Sequence, residues 1–233
     1  MEILYRIICV AIGYCFGIFQ TAYIYGRMNG IDIRKYGSGN SGTTNAMRVL
    51  GKKAGLITYA GDMLKALCSG FVIRALFGLG MDMSSDVVFL YVIYGGLGVI
   101  LGHNYPFYMG FKGGKGIAAS TGVAMSVWDW KLILIGAATF AGSTYLTKYV
   151  SVGSILMMVG FAAEFILFSE LGMLSPINGS EHRFEAYIIV SLFAVLAIFK
   201  HRANIKRLLN GTENKIGQKK AQSTISAQTN EEK

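Results

Sequence analysis

The stretch GSGNSGTTN, from Gly37 to Asn45, sets Gly37, Gly39 and Gly42 at G-x-G-x-x-G spacing. Glycine lets backbone N–H groups come close to an anion, and successive N–H groups form an anion-binding nest. The same spacing marks dinucleotide-binding folds, and Asp62 lies 20 residues beyond Gly42, where such a fold places its ribose-binding acid. Context defeats that reading. It needs a preceding strand and a soluble βαβ unit, whereas an apolar run precedes this loop and Asp62 falls inside the next one. Phosphate chemistry remains. Asn40, Thr43, Thr44 and Asn45 are placed to cap a helix beginning near Asn45, whose N-terminus favours phosphate. Arg48, one turn in, adds a bidentate donor. Taken alone, the loop reads equally well as an ordinary capped connector.

Two further polar clusters carry related chemistry. GHNYPFYMGFKGGKGIAAS, Gly102 to Ser120, holds His103, Asn104 and the run Lys112-Gly113-Gly114-Lys115-Gly116. It is not a Walker loop, because Gly116 stands where Ser or Thr is required. It still sets Lys115 beside glycine backbone ahead of an apolar helix. KHRANIKRLLNGTE, Lys200 to Glu213, spaces His201, Asn204 and Arg207 to share one side of a helix. Leu208 and Leu209 suit that helix to a membrane surface. Singly, the second cluster also reads as a basic connecting loop and the third as the snorkelling end of a span. Ser151 and Ser154 lie in KYVSVGSI, just after Lys148.

The elements that must position these groups are apolar. Of 233 residues, 53% are hydrophobic and only 15% charged, with a mean hydropathy of +0.46. A soluble domain carries about 25% charged residues, so the chain reads as an all-α polytopic membrane protein. Apolar segments run over 3–25, 55–80, 86–102, 114–128, 132–147, 152–171 and 186–200. The first lacks a basic n-region and a small-residue cleavage site, so it reads as a span rather than a signal peptide. Seven spans is the expected count, with six the alternative.

Charge orients them. Arg27, Arg34, Lys35, Arg48, Lys52, Lys53, Lys112, Lys115, Lys148 and the basic residues from Lys200 onward fall on one side. The other side carries Lys131, Arg183 and six acids: Asp82, Asp86, Asp129, Glu170, Glu181 and Glu185. Positive charge is retained in the cytoplasm, which predicts an outside N-terminus, a cytoplasmic C-terminus and all three clusters on the cytoplasmic face. The net charge of +9 then reflects topology and contact with anionic lipid, not nucleic acid. Residues 1–215 read as the membrane domain, and 216–233 as a polar, disordered tail. Within the spans, Asp62 and Lys65 are spaced to pair, and Glu164 reads by default as a helix-packing residue. Cys9, Cys15 and Cys68 form no disulfide or zinc pattern. Three cation-and-donor clusters on one face point to a phosphate-rich ligand at the inner membrane surface.

Together, GSGNSGTTNAMRVLGKKAG, GHNYPFYMGFKGGKGIA and HRANIKRLLNGTE resemble the three cytoplasmic motifs of the bacterial acylphosphate:glycerol-3-phosphate acyltransferases, the PlsY family. The D-x-x-K of Asp62 and Lys65 and the stretch YVSVGSI look like that family too, and the similarity extends to about residue 215. The resemblance implies a seven-span inner-membrane enzyme. Such an enzyme moves a fatty acyl group from acyl phosphate to the 1-hydroxyl of glycerol 3-phosphate, giving lysophosphatidic acid and phosphate. It implies no metal or cofactor, and a soluble partner enzyme that makes the acyl phosphate and docks at this face.

By the same resemblance the catalytic group is Ser38, Lys115, His201 and Asn204. The substrate-binding group is Gly37, Gly39, Asn40, Thr44, Asn45, Arg48, His103, Gly113, Gly114, Ser154 and Arg207. Arg48, Lys115 and Ser154 are expected to hold phosphate, and His201 and Asn204 to orient the glycerol phosphate. The glycines are expected to let backbone approach the anions. Acyl phosphate is a mixed anhydride with an activated carbonyl, so the chemistry calls for cations and N–H donors more than for a strong base. The H-x-x-x-x-D pair of other glycerophosphate acyltransferases is absent. A substrate phosphate, with a second pKa of about 6 by analogy with phosphorylated side chains, or His201 is left to take the proton. Three rivals stand beside this reading. An organophosphate transporter would place its polar site at the midplane between repeated halves, a CDP-alcohol phosphotransferase would need clustered aspartates, and a non-catalytic lipid-binding homologue would keep the motifs.

Overall fold

The computed structural model describes residues 1–217, and every regular element among them is helical. The tail reading for 218–233 lies outside the described residues. Helix α1 (Glu2–Gly17) breaks over three residues before α2 (Thr21–Met28), and α3 (Thr43–Leu50) follows the first glycine loop. Then come α4 (Lys52–Ile73), extended by a π-helical turn at Arg74–Leu79, and α5 (Ser85–Asn104). The remaining helices are α6 (Ile117–Val127), α7 (Trp130–Thr147), α8 (Val150–Glu170), α9 (Arg183–Lys200) and α10 (Arg202–Leu209).

Each apolar segment read from the sequence forms a helical unit. Four are long and apolar enough to cross a membrane, or five if α9 and α10, bent by 55°, count as one span. At 1.5 Å per residue, the 11 residues of α6 fall well short of a hydrocarbon core of about 30 Å.

Helix α5 is the centre of the bundle. Leu90, Ile93, Val99 and Ile100 are fully or almost fully buried among α6, α8 and α9 side chains. Its contact with α1 is built on paired small-xxx-small spacings, Gly13/Gly17 against Gly98/Gly102. A Cβ on Gly13 would lie 2.0 Å from Gly95 O, and one on Gly98 2.2 Å from Val10 O. Lipid tails are as apolar as side chains, so helices in a bilayer associate through such close backbone approach.

Charges at the two ends of the bundle are handled differently. At one end Arg6, the charge that interrupts the first apolar run, pairs through both oxygens with Glu185 at the start of α9, at 2.5 and 2.9 Å. The other end gathers the α1–α2 break, the first glycine loop, the C-terminus of α5, the N-termini of α6 and α8, and α10. Gln20 Nε2 donates to His103 O (3.0 Å), Lys200 Nζ to Asn104 O (2.9 Å) and Ser151 Oγ to Glu213 (3.1 Å). All three polar clusters therefore meet at one end.

Candidate active site

The first loop is held open by Asn45. Its Oδ1 accepts from Ser38 N–H at 2.8 Å, and its Nδ2 donates to Ile33 O and Tyr36 O at 3.2 and 3.1 Å. Asn45 is buried, and its amide is spent on the loop rather than on a ligand. The helix begins at Thr43 with Gly42 as its N-cap, two residues earlier than the sequence suggested, and no side chain caps it. Asn40, Thr43, Thr44 and Asn45 are therefore not caps. Gly37 has φ of +62°, and a Cβ there would meet Asn45 Oδ1 at 2.3 Å, so the turn requires glycine. The loop leaves Ser38, Gly39 and Thr44 exposed and Asn40 half-buried. Arg48, half-buried one turn into α3, has no carboxylate partner among the described residues.

The second loop departs from expectation. Gly113 N–H donates to Asn104 O (3.2 Å) and Gly114 N–H to His103 O (3.1 Å). Both are spent on the end of α5, so neither is free for an anion. These glycines are needed because Cβ atoms would lie 2.1 Å from His103 O and 2.1 Å from His103 Nε2. His103 itself is buried under the loop rather than facing a ligand. Past it, Gly116 (φ +83°) starts α6 without a side-chain cap, and Lys115 stands beside that uncapped N-terminus.

The third cluster closes over Lys115. The Lys115 ammonium donates to Asn204 Oδ1. Asn204 Nδ2 donates to Glu213 at 2.6 Å, as does Arg207 Nε at 2.6 Å. Ser151, at the start of α8, completes the Glu213 shell. Ser154 instead donates to Val150 O of its own helix (2.8 Å). Chain after α10 is tied down by Ile216 N–H on Lys148 O (2.9 Å). His201, at the α9–α10 bend, donates from Nδ1 to Ala197 O (2.8 Å), which leaves Nε2 as an acceptor.

Burial pushes the Lys115 ammonium down to about 8; Glu213 opposes this, while Arg207, Lys200 and Arg48 add to it. Burial also works against a charged Glu213. Hydrogen bonds from Asn204, Arg207 and Ser151 outweigh it and hold the carboxyl below the usual range. Three cations, Arg48 of α3, Lys200 of α9 and Arg207 of α10, thus bear on Lys115, with the Glu213 carboxylate opposing them. No group of three or more His, Cys, Asp or Glu suited to a metal occurs among the described residues.

The structure brings together Lys115, Asn204 and Arg207, with Arg48 and His201 alongside. It sets Asn45, His103, Gly113 and Gly114 behind them as scaffold. Glu213 and Ser151 were given no role from the sequence. The only sequence signal for Glu213 was its place at the end of the third cluster.

Residues 7–211 match the family model described as Glycerol-3-phosphate acyltransferase. A glycerol-3-phosphate acyltransferase of Clostridioides difficile (strain 630) is 43% identical over 226 residues, covering 94% of this chain and all of that one. The protein of the same name from Thermoanaerobacter sp. (strain X514) is 41% identical over 217 residues, covering 93% and 98%. Among solved structures, the glycerol 3-phosphate form of PlsY, an integral membrane glycerol 3-phosphate acyltransferase, superposes with a TM-score of 0.74 at 31% identity. That match covers 91% of this chain and 96% of the other. The lysophosphatidic acid form gives 0.72. With its helical bundle, its three convergent clusters and these relatives, the chain belongs to the PlsY family of integral membrane glycerol-3-phosphate acyltransferases.

Proposed function

We propose that this protein transfers a fatty acyl group from acyl phosphate to the 1-hydroxyl of sn-glycerol 3-phosphate, the first step of phospholipid synthesis. The observation that carries this reading is the convergence of Arg207 and Arg48 on Lys115, which stands beside the uncapped N-terminus of α6. The reaction must bring two phosphates of like charge together, and such a cluster offsets their repulsion. Lys115 and Arg48 hold the acyl phosphate, with Ser38 reaching in from the exposed turn of the first loop. His201 Nε2 accepts from a glycerol hydroxyl, and Asn204 and Arg207 orient the acceptor's phosphate. Gly37, Gly39, Asn40 and Thr44 shape the wall around it.

The glycerol oxygen adds to the acyl carbonyl carbon, and the bond from that carbon to the phosphate oxygen breaks. The hydroxyl proton passes to the departing phosphate, which leaves as hydrogen phosphate. On this reading Lys115 and Arg48 face the charge that grows on the leaving group, an arrangement that stabilises such a transition state.

Seven spans, an outside N-terminus and a cytoplasmic site in the inner membrane belong to this reading, on the strength of the lysine and arginine distribution. The acyl phosphate would come from a soluble enzyme docking at that face. The test is phosphate release by purified protein given glycerol 3-phosphate with palmitoyl phosphate, and in parallel with palmitoyl-CoA. Equal amounts of phosphate and lysophosphatidic acid from the first tube alone support the reading. Product from the CoA tube means a different donor. Folded protein that makes neither overturns the reading.

A further inference from the structure

The α1–α2 break leaves carbonyls without helical partners, and a buried ammonium fills the gap. Lys65 Nζ, reaching from α4, lies 3.1 Å from Gly17 O, 2.6 Å from Phe19 O and 2.9 Å from Asp62 Oδ1. Its fourth neighbour is His103 Nδ1 at 2.8 Å. Asp62 also accepts from Thr21 Oγ1 at 3.1 Å, which pins the first residue of α2. Gln20, inside the break, donates to His103 O, and its Oε1 accepts from Ser41 of the first glycine loop at 3.2 Å. Gln20, Ser41, Asp62, Lys65 and His103 are all buried. A buried cluster of this many polar and charged groups is costly and needs a reason beyond helix packing.

Its geometry supplies one. An ammonium has three protons and no lone pair, so it shares those protons among four acceptors; His103 Nδ1 therefore accepts and the ring carries its proton on Nε2. Nε2 is the atom facing Gly114, close enough that a Cβ there would overlap it at 2.1 Å. The next residue is Lys115. We infer that Lys65 is a positioning residue for the acyl transfer: it fixes the His103 ring, and the ring sets the Gly113–Gly114 turn that aims Lys115. Asp62 holds Lys65, and Gln20 extends the same control to the first glycine loop through Ser41.

This inference rests on the proposed function only for its kinetic readout, so the experiment adds one that needs no turnover. Full-length wild type, Lys65→Met, Lys65→Arg, Gly114→Ala and the double variant Lys65→Met/Gly114→Ala are compared in phospholipid nanodiscs. The first readout is the rate of Lys115 acetylation by an amine-reactive reagent across pH, followed by peptide mass spectrometry. Only the neutral amine reacts, so the midpoint reports the titration of Lys115 among Glu213, Arg207, Lys200, Arg48 and His201. The second readout is kcat and KM.

In Lys65→Met the midpoint should climb from about 8 toward the 10.5 of a solvated lysine as the loop loosens. Misplacing a group by about 1 Å costs about 10²-fold in rate, so kcat should fall by that order. Lys65→Arg should restore part of both. Gly114→Ala, which displaces the ring from its other side, should shift the midpoint alike, and the double variant should add little. An unmoved midpoint in folded Lys65→Met overturns the inference, as does strict additivity. Should Lys65→Met fail to fold, an unmoved midpoint in Gly114→Ala overturns it equally. Wild type inactive on acyl phosphate, with the variants still showing the midpoint shifts, sinks the proposed function and leaves standing the control of Lys115 by Lys65 through His103.

Discussion

Asn204 stands between Lys115 and Glu213, accepting from the first through Oδ1 and donating to the second through Nδ2 at 2.6 Å. An amide is the side chain that can do both at once. It keeps a carboxylate close enough to assist the lysine charge without a direct ion pair that would compete with a substrate anion. Asn204→Asp, nearly equal in size, cannot donate to Glu213 and sets two carboxylates side by side. Its kcat/KM for glycerol 3-phosphate should fall by roughly 10²-fold, the scale of losing a preorganised donor. Steady-state kinetics at pH 7 on folded protein checks this, and wild-type values would remove Asn204 from the site.

Lys115→Ala should insert and fold yet lose nearly all turnover, a drop of roughly 10²–10³ in kcat. Of the neighbouring cations, Arg207 and Lys200 are already engaged with Glu213 and Asn104 O, and Arg48 keeps its own place on α3. Near-normal turnover in a folded Lys115→Ala would place the phosphate elsewhere.

The lowered titration of Lys115 gives a pH signature. The cation is the binding form, and in the free enzyme it is lost as pH rises through about 8. The kcat/KM profile should therefore be flat from above the substrate phosphate's second pKa of about 6 up to that value, and fall beyond it. Bound phosphate stabilises the cation, so the limb in kcat should lie at higher pH. A flat kcat/KM profile to pH 9.5 contradicts the assignment, as does loss on the acid side of 8 alone.

Glu213→Ala leaves Asn204, Arg207 and Ser151 without their shared acceptor. Removing a charged hydrogen-bond partner from a buried site costs about 1–3 kcal/mol, with the Arg207 share reduced by its partial exposure. The variant should unfold at lower temperature in detergent, while Glu213→Gln, which keeps an acceptor, loses less. Equal melting of both variants would mean that the charge, not the acceptor, holds the cluster.

Gly37→Ala forces a side chain onto a left-handed turn and into Asn45 Oδ1. The left-handed conformation alone costs roughly 1–2 kcal/mol. Because Asn45 pins Ser38, the loss should appear as a raised KM as well as reduced stability. A change in stability with KM untouched would separate the loop from substrate binding.

The sequence carried the three clusters because each is contiguous, and their common side followed from charge. Other features depend on contacts far apart in the chain. The run over 3–25 reads as one apolar span, yet the helix stops at Ile18–Gln20, where Lys65 from α4 takes the freed carbonyls. Gly113 and Gly114 looked like an anion nest, but they face back onto His103. Ser151 and Ser154 differ by less than one turn, and only packing decides that the first reaches Glu213. Glycine spacing signals that backbone must come close to something. It does not say whether that is a ligand or a neighbouring helix.

Glu213 and Ile216 lie beyond every apolar segment, so the ribosome makes them after the last helix. Until then Asn204 and Arg207 have no shared acceptor. A chain ending just after α10 would keep every helix yet lack this closure, and it should melt below the full chain.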